Sequence, residues 1–391
     1  MLLGFALVLL SGFVFGELFG KLRLPKLTGM IAAGIALGSL GLLDEKLLGI
    51  SAELRKIALV IILLRAGMNL KLSDLKKIGR PAALLCFVPA CFEMAGTVLL
   101  APPLLGLSIT EAAVMGAVLA AVSPAVIVPK MLKLMEERRG TDKLIPQMIL
   151  AGASIDDVFV IVMFSVFSGI EQGGELSALT LLNIPLSLVL GAAAGAAVGL
   201  LLALLFGKIH IRDSAKVIVV LSCAFLLTAA EDALSGRVGF SGLVAVMAAG
   251  LFMGVKAQEQ TQRVSAKLGK LWCGAEIVLF VLVGAAVDIG AAAESGVKAL
   301  LLIAGALVLR SAGVFLCLIG TKLTAKERLF CAFSYLPKAT VQAAIGGVPL
   351  AMGMACGQKV LSVAVIAILV TATLGAALIE AFGKRWLLKE E

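Results

Sequence analysis

Apolar runs long enough to cross a lipid bilayer recur along the whole of this chain, and they leave little choice of fold. About thirteen such segments begin near residues 2, 27, 53, 80, 109, 144, 178, 214, 238, 268, 297, 326 and 359. Short polar connections separate them, the longest covering residues 130–143. A bilayer core of about 30 Å is crossed by about 20 helical residues at about 1.5 Å each. Within lipid every backbone N–H and C=O must find a partner inside the protein, which leaves only helices or closed barrels. Runs of this length are helices. The chain therefore reads as an all-α polytopic membrane protein with about 13 transmembrane helices.

Composition agrees with that reading. Hydrophobic residues make up 61% of the 391 positions and charged residues 15%, against about 25% charged in soluble domains. The 42 glycines suit close helix–helix packing in lipid; residues 191–199, with Gly191, Gly195 and Gly199, read as such a packing stripe. The net charge of +9 does not point to nucleic acid, because the charges sit in short breaks and aromatics are only 5%. Seven cysteines show no Cys-x-x-Cys spacing, and the one histidine, His210, lies in a basic loop. Metal-centre and thiol chemistry are unsupported. Residues 2–19 lack a basic leader and a small-residue cleavage site, and Lys21, Arg23 and Lys26 follow them. They read as a retained first span.

Orientation follows from the cationic residues. Of the 34 Lys and Arg, 25 lie in connections after odd-numbered segments or in the C-terminal tail, and 6 after even-numbered ones. The remaining three, Arg65, Arg310 and Lys338, lie inside segments. This split places the N-terminus outside and the C-terminus in the cytoplasm of a cell (inner or plasma) membrane.

Two segments carry a central proline. Segment five contains Ala121-Val122-Ser123-Pro124-Ala125-Val126, and segment twelve contains Ser334-Tyr335-Leu336-Pro337-Lys338-Ala339-Thr340-Val341-Gln342. Proline removes a backbone donor and clashes with the preceding turn, so Pro124 and Pro337 predict helix breaks. Irregular backbone at that depth survives only where it is buried in protein or lines water. Segments two to six would match nine to thirteen, which puts a break in the fourth member of each set. Paired interruptions of this kind point to a transporter site built from inverted repeats.

Five charges fall near mid-depth: Glu93 in segment four, Asp156 and Asp157 in six, Arg310 in eleven and Lys338 in twelve. Each costs about 2.5–3.5 kcal/mol at a helix centre if left alone, so they must pair. Three acids against two bases leave one carboxylate for a transported cation or a proton. Neighbouring residues on a helix point about 100° apart, so one aspartate faces a cavity and the other a basic partner. Arg310 stays protonated and can only anchor a pair. The expected arrangement is a static Glu93–Arg310 pair, a switchable Asp156–Lys338 pair, and Asp157 as the principal cation and proton ligand. Ser123, Thr340 and carbonyls freed at the breaks supply further oxygens, which suit a hard cation such as sodium.

The Ala153-Ser154-Ile155-Asp156-Asp157 helix, the Ser123-Pro124 break and the Leu336-Pro337-Lys338-Ala339-Thr340-Val341-Gln342-Ala343-Ala344 stretch together resemble the cation/proton antiporter superfamily, most closely its NHA-type sodium/proton antiporters. The resemblance runs from segment four through segment twelve. It implies an NhaA-like antiporter fold with two crossing discontinuous helices, and a homodimer. It also implies a mobile core of residues 80–170 and 297–391, with scaffold and dimer helices in 1–79 and linking and scaffold helices in 171–296. Asp157 would be the essential carrier and Asp156 its coupled neighbour. Relatives that move two protons per sodium usually have Lys where Arg310 stands, and electroneutral ones have Arg with Asn-Asp; this chain joins Arg310 to Asp-Asp.

The expected activity is exchange of Na+ (or Li+) for H+ by alternating access, in the bilayer, with no cofactor and no enzymatic reaction. The alternatives are a sodium-coupled symporter of an organic anion, an intramembrane aspartyl protease and a channel. The net single negative charge argues against the first. Adjacent acids and the lack of a Gly-x-Gly-Asp motif argue against the second, and a fixed midplane ion pair against the third.

Overall fold

The computed structural model describes residues 1–22, 24–69, 72–173, 178–209, 211–234 and 239–389; Arg23 and His210, both discussed above, lie outside them. Among the described residues the chain is helical throughout, with a single isolated bridge between Arg139 and Lys389 in place of any strand. In chain order the helices are α1 (Leu2–Lys21), α2 (Lys26–Ser39), α3 (Glu45–Gly49), α4 (Ser51–Asn69), α5 (Leu72–Leu85), α6 (Val88–Leu105), α7 (Ile109–Ala120), α8 (Pro124–Glu136) and α9 (Ile145–Glu171). They continue as α10 (Ala178–Lys208), α11 (Asp213–Leu234), α12 (Gly242–Lys256), α13 (Gln258–Ala285), α14 (Ile289–Cys317), α15 (Ala325–Ser334), α16 (Thr340–Ile345), α17 (Val348–Ala351) and α18 (Gly357–Trp386).

Ten of the apolar segments are one helix each. Segments four, five and twelve are built from α5 with α6, α7 with α8, and α15 with α16 and α17. Eight helical stretches among the described residues are long and apolar enough to cross a membrane, among them Gly79–Leu105, Ile109–Glu136 and Gly357–Trp386. Part of the difference from thirteen has a physical reason. α2 and α12 are apolar but short, and α4 carries Glu53, Arg55, Lys56 and Arg65 along its length.

The chain divides into two compact units. The first comprises Met1–Arg55, Asp74–Gln172 and Ile277–Glu391. Within it α1 lies on α2, α6 lies on α14 and α7, and α18 packs against α7, α8, α14 and α15. A cluster of buried side chains, including Leu85, Ile127, Met131, Ile149, Val314, Phe330 and Tyr335, fills the space around the N-terminal half of α9. In lipid such packing is held by van der Waals contact rather than by escape from water. The clustered rings of Phe333, Phe382 and Trp386 join α15 to α18, with centroids 4.1–5.9 Å apart.

The second unit comprises Lys56–Ser73 and Gly173–Glu276. Its main contact is α10 against α12. Gly191, Gly195 and Gly199 lie on the carbonyls of Ser241, Ala245 and Ala249, so a Cβ at any of the three would run into a carbonyl oxygen. The glycine stripe is packing, as its spacing indicated.

Candidate functional site

The site is assembled within the first unit, where two helices are interrupted. Both interrupted helices open with the same local signal. Ser108 caps α7 and Thr324 caps α15, each in a capping box with the glutamate three residues on, Glu111 and Glu327. Such a box satisfies two orphan N–H groups at once and fixes where a helix starts. α7 then stops at Ala120, and α8 resumes at Pro124 in the first helical position, where no N–H is needed. α15 stops at Ser334, and α16 resumes at Thr340 after a five-residue gap carrying Pro337 and Lys338.

Each break frees backbone groups that would be costly if left unpaired in a buried, apolar place. The carbonyls ending α7 are taken by side chains. Gln342 Nε2 donates to Leu119 O (3.3 Å) and Ala121 O (2.6 Å), and Arg310 Nη1 donates to Ala120 O. Beyond the break, Val122 N–H donates to Asp156 Oδ2 at 2.8 Å and Ser123 N–H to Pro337 O at 2.8 Å. The second break is closed similarly: Lys338 N–H donates to Thr371 Oγ1 (2.9 Å) and Ala339 N–H to Gln342 Oε1 (2.9 Å). The two interruptions thus satisfy one another, with help from α9, α14 and α18.

All five mid-depth charges are buried: Glu93 is 2% exposed, Asp156 0%, Asp157 5%, Arg310 0% and Lys338 1%. Arg310 Nη1 donates to Glu93 Oε2 at 2.5 Å, the pair that the sequence suggested. Its Nη2 donates to Asp156 Oδ2 at 3.1 Å. Lys338 Nζ donates to Glu93 Oε2 at 2.5 Å. The expected Asp156–Lys338 pair is therefore corrected: Lys338 is bound to Glu93, and Asp156 to Arg310. The cause is the shape of guanidinium. Its planar fork presents Nη1 and Nη2 to two carboxylates, and Asp156 Oδ2 is already occupied by that fork and by Val122 N–H.

Both cations are thereby engaged by Glu93 and Asp156. Asp157 has no ion pair and its Oδ1 no hydrogen bond among the described residues, and the same is true of the hydrogen bonding of Asp156 Oδ1 and Ser123 Oγ. Ser123 is fully buried at the N-cap of α8, yet its hydroxyl makes no capping bond. Thr340 is buried at the first position of α16. The result is a set of buried oxygens carrying one net negative charge, a chemistry that suits a small hard cation or a proton.

Two polar partners lay outside the sequence reading. Gln342 stood in the motif without a role, although a glutamine three residues into a resumed helix is a capping signal in itself. Thr371 is one of three hydroxyl residues, with Ser362 and Thr373, in a long apolar helix, and nothing local to it marks it.

A family model described as "Sodium/hydrogen exchanger, transmembrane" matches residues 5–385. This chain belongs to the sodium/hydrogen exchanger family. It is an antiporter that exchanges sodium for protons, and not an enzyme; the symporter, protease and channel readings find no support in the match. The exchanger is 32% identical to human sodium/hydrogen exchanger 9B2 over 411 residues, 100% of this chain and 76% of that one. It is 31% identical to the mouse 9B2 protein over 397 residues, 96% of this chain and 72% of that one. Human sodium/hydrogen exchanger 9B1 is 29% identical over 414 residues, covering 99% and 78%. In three dimensions the exchanger resembles the sodium proton antiporter MjNhaP1 of Methanocaldococcus jannaschii, with a TM-score of 0.83 at 23% identity over 97% of both chains. That likeness shows the fold.

Proposed function

We propose that exchange runs through Asp157, with sodium (or lithium) and the proton competing for its carboxylate. Asp156 Oδ1, Ser123 Oγ and Thr340 supply further oxygens to the cation when it is bound. Arg310, Lys338 and Glu93 are the charge-compensating groups: Arg310 binds Asp156 and Glu93, Lys338 binds Glu93, and Asp157 is left unmatched. The moving body is residues 80–170 and 297–391, carried on helices from 1–79 and 171–296. The exchanger works as a homodimer of about thirteen crossings in the cell membrane, with its N-terminus outside and its C-terminus in the cytoplasm, and needs no cofactor.

One observation carries this reading. Among the described residues Asp157 is buried without a basic partner or a bond to Oδ1, while Arg310 and Lys338 are both engaged by Glu93 and Asp156. A lone carboxylate at that depth costs about 2.5–3.5 kcal/mol and is retained where it binds something. The rest is electrostatic sequence. A proton or a sodium ion neutralises Asp157, the occupied core moves, and release on the far side frees the carboxylate for the other ion.

The test is Asp157→Asn in the reconstituted exchanger, read as sodium-driven proton movement in liposomes. Exchange is expected to fall by about 100-fold or more, as for loss of an obligatory charge-assisted ligand, while the purified protein stays folded because no ion pair is broken. Undiminished exchange in that variant would overturn the assignment.

A further inference from the structure

Tyr335 follows the last residue of α15 and forms its C-terminal cap. Its side chain is fully buried, and its ring lies 5.5 Å from the Arg310 guanidinium. The hydroxyl reaches across to α9 and lies where a Cβ on Gly152 would stand; the same Cβ would sit 2.9 Å from Leu85 Cβ. Yet Tyr335 Oη has no hydrogen-bond partner among the described residues. Buried hydroxyls are almost always paired, and phenylalanine would fill the same volume without the unpaired group.

Its position supplies the reason. Gly152 precedes Asp156 by four residues on one face of α9, so Oη stands about 6 Å along the helix axis from the level of that carboxylate. Around the N-terminal half of α9 the packing is a cluster of hydrophobic side chains, and Tyr335 is the one member whose side chain carries an oxygen. Of that cluster it is the one oxygen on offer to a small cation leaving the carboxylates towards that end of α9, and the buried, unpaired Oε1 of Gln147 lies further on, in the first turn of the helix. A hard cation crosses such a place only from oxygen to oxygen. Asp156 Oδ1, Asp157 Oδ1 and Ser123 Oγ are likewise buried and unpaired.

We propose that Tyr335 Oη is a transient sodium ligand on the path between the paired aspartates and the N-terminal end of α9, with Gly152 keeping the room for it. This rests on the reading of Asp157 as the carrier. The ring against Arg310 is a separate, positioning role that phenylalanine would keep.

The experiment is Tyr335→Phe in the full chain, with sodium-dependent exchange measured in liposomes and thermal stability in detergent, with and without sodium. Expected are a maximal rate lowered about tenfold or more, stabilisation by sodium retained, and a melting temperature equal to or above that of the native chain. Exchange at the native rate would overturn the proposal. So would a parallel loss of rate and melting temperature, which would make the hydroxyl a structural group. Gly152→Ala, whose methyl meets Oη, provides a second arm. Combined with Tyr335→Phe it should regain part of the melting temperature, the close approach to Leu85 Cβ remaining, but not the native rate, and a native rate in the double variant would also overturn the proposal. Retained exchange in Asp157→Asn would remove the underlying site reading whatever Tyr335→Phe does, so the two failures are distinct.

Discussion

The two interrupted helices start alike and end differently. Residues 119–123 bring backbone to the site: three carbonyls and two N–H groups answered by Gln342, Arg310, Asp156 and Pro337 from elsewhere. Residues 335–339 bring side chains, since Lys338 reaches Glu93 and Tyr335 lies beneath Arg310. Repeats of one plan have therefore divided the work. One break is a receptacle of dipoles, and the other inserts a charge and a hydroxyl. An inverted repeat predicts where chain irregularities fall, but not which of them will be chemically active.

The largest test of this division is Arg310→Gln set beside Lys338→Gln. Arg310 serves the first break and two carboxylates, so its loss leaves Asp156 without its ion pair, Ala120 O without its donor and Glu93 to Lys338 alone. A cost of about 3–5 kcal/mol is expected, as for breaking a buried ion pair from one side. It would be visible as a fall in folded yield and melting temperature. Lys338→Gln leaves Glu93 still bound to Arg310 and should cost about 1–3 kcal/mol. Equal losses would erase the distinction between the breaks.

A middle-sized effect is expected for Gln342→Leu. That change leaves the carbonyls of Leu119 and Ala121 without the amide donor and the N–H of Ala339 without its acceptor, for about 1–3 kcal/mol and a slower exchange. A native-like melting temperature would mean that water closes the first break as well as the amide does. The smallest effect belongs to Pro124→Ala. Proline at a first helical position only restricts the unfolded chain, which is worth about 0.4–1 kcal/mol. If that variant straightened the helix and abolished exchange, the proline and not the network of side chains would be the cause of the break.

Much of this was legible in the order of residues. Apolar runs gave the helices, and Pro124 and Pro337 gave both interruptions to within a few residues. The meeting of Glu93 with Arg310 followed from the cost of burying either alone. The wrong partner for Asp156 came from treating cations as points: the count of charges was right, but the fork of Arg310 joins two acids and displaces Lys338. Gln342, Thr371 and Tyr335 escaped notice because each acts on a group that only folding brings near, namely a freed carbonyl, a freed N–H and a glycine on another helix. Sequence patterns mark where the backbone fails, and the side chains that repair it come from anywhere.

The sum of the five buried charges has a consequence for idling. An unladen carrier would have to reorient with a bare anionic group inside a poorly polarisable medium, while one loaded with a single monovalent ion, sodium or proton, reorients neutral. With Asp157 as the proposed carrier, slippage would be suppressed by the same imbalance that attracts the cargo.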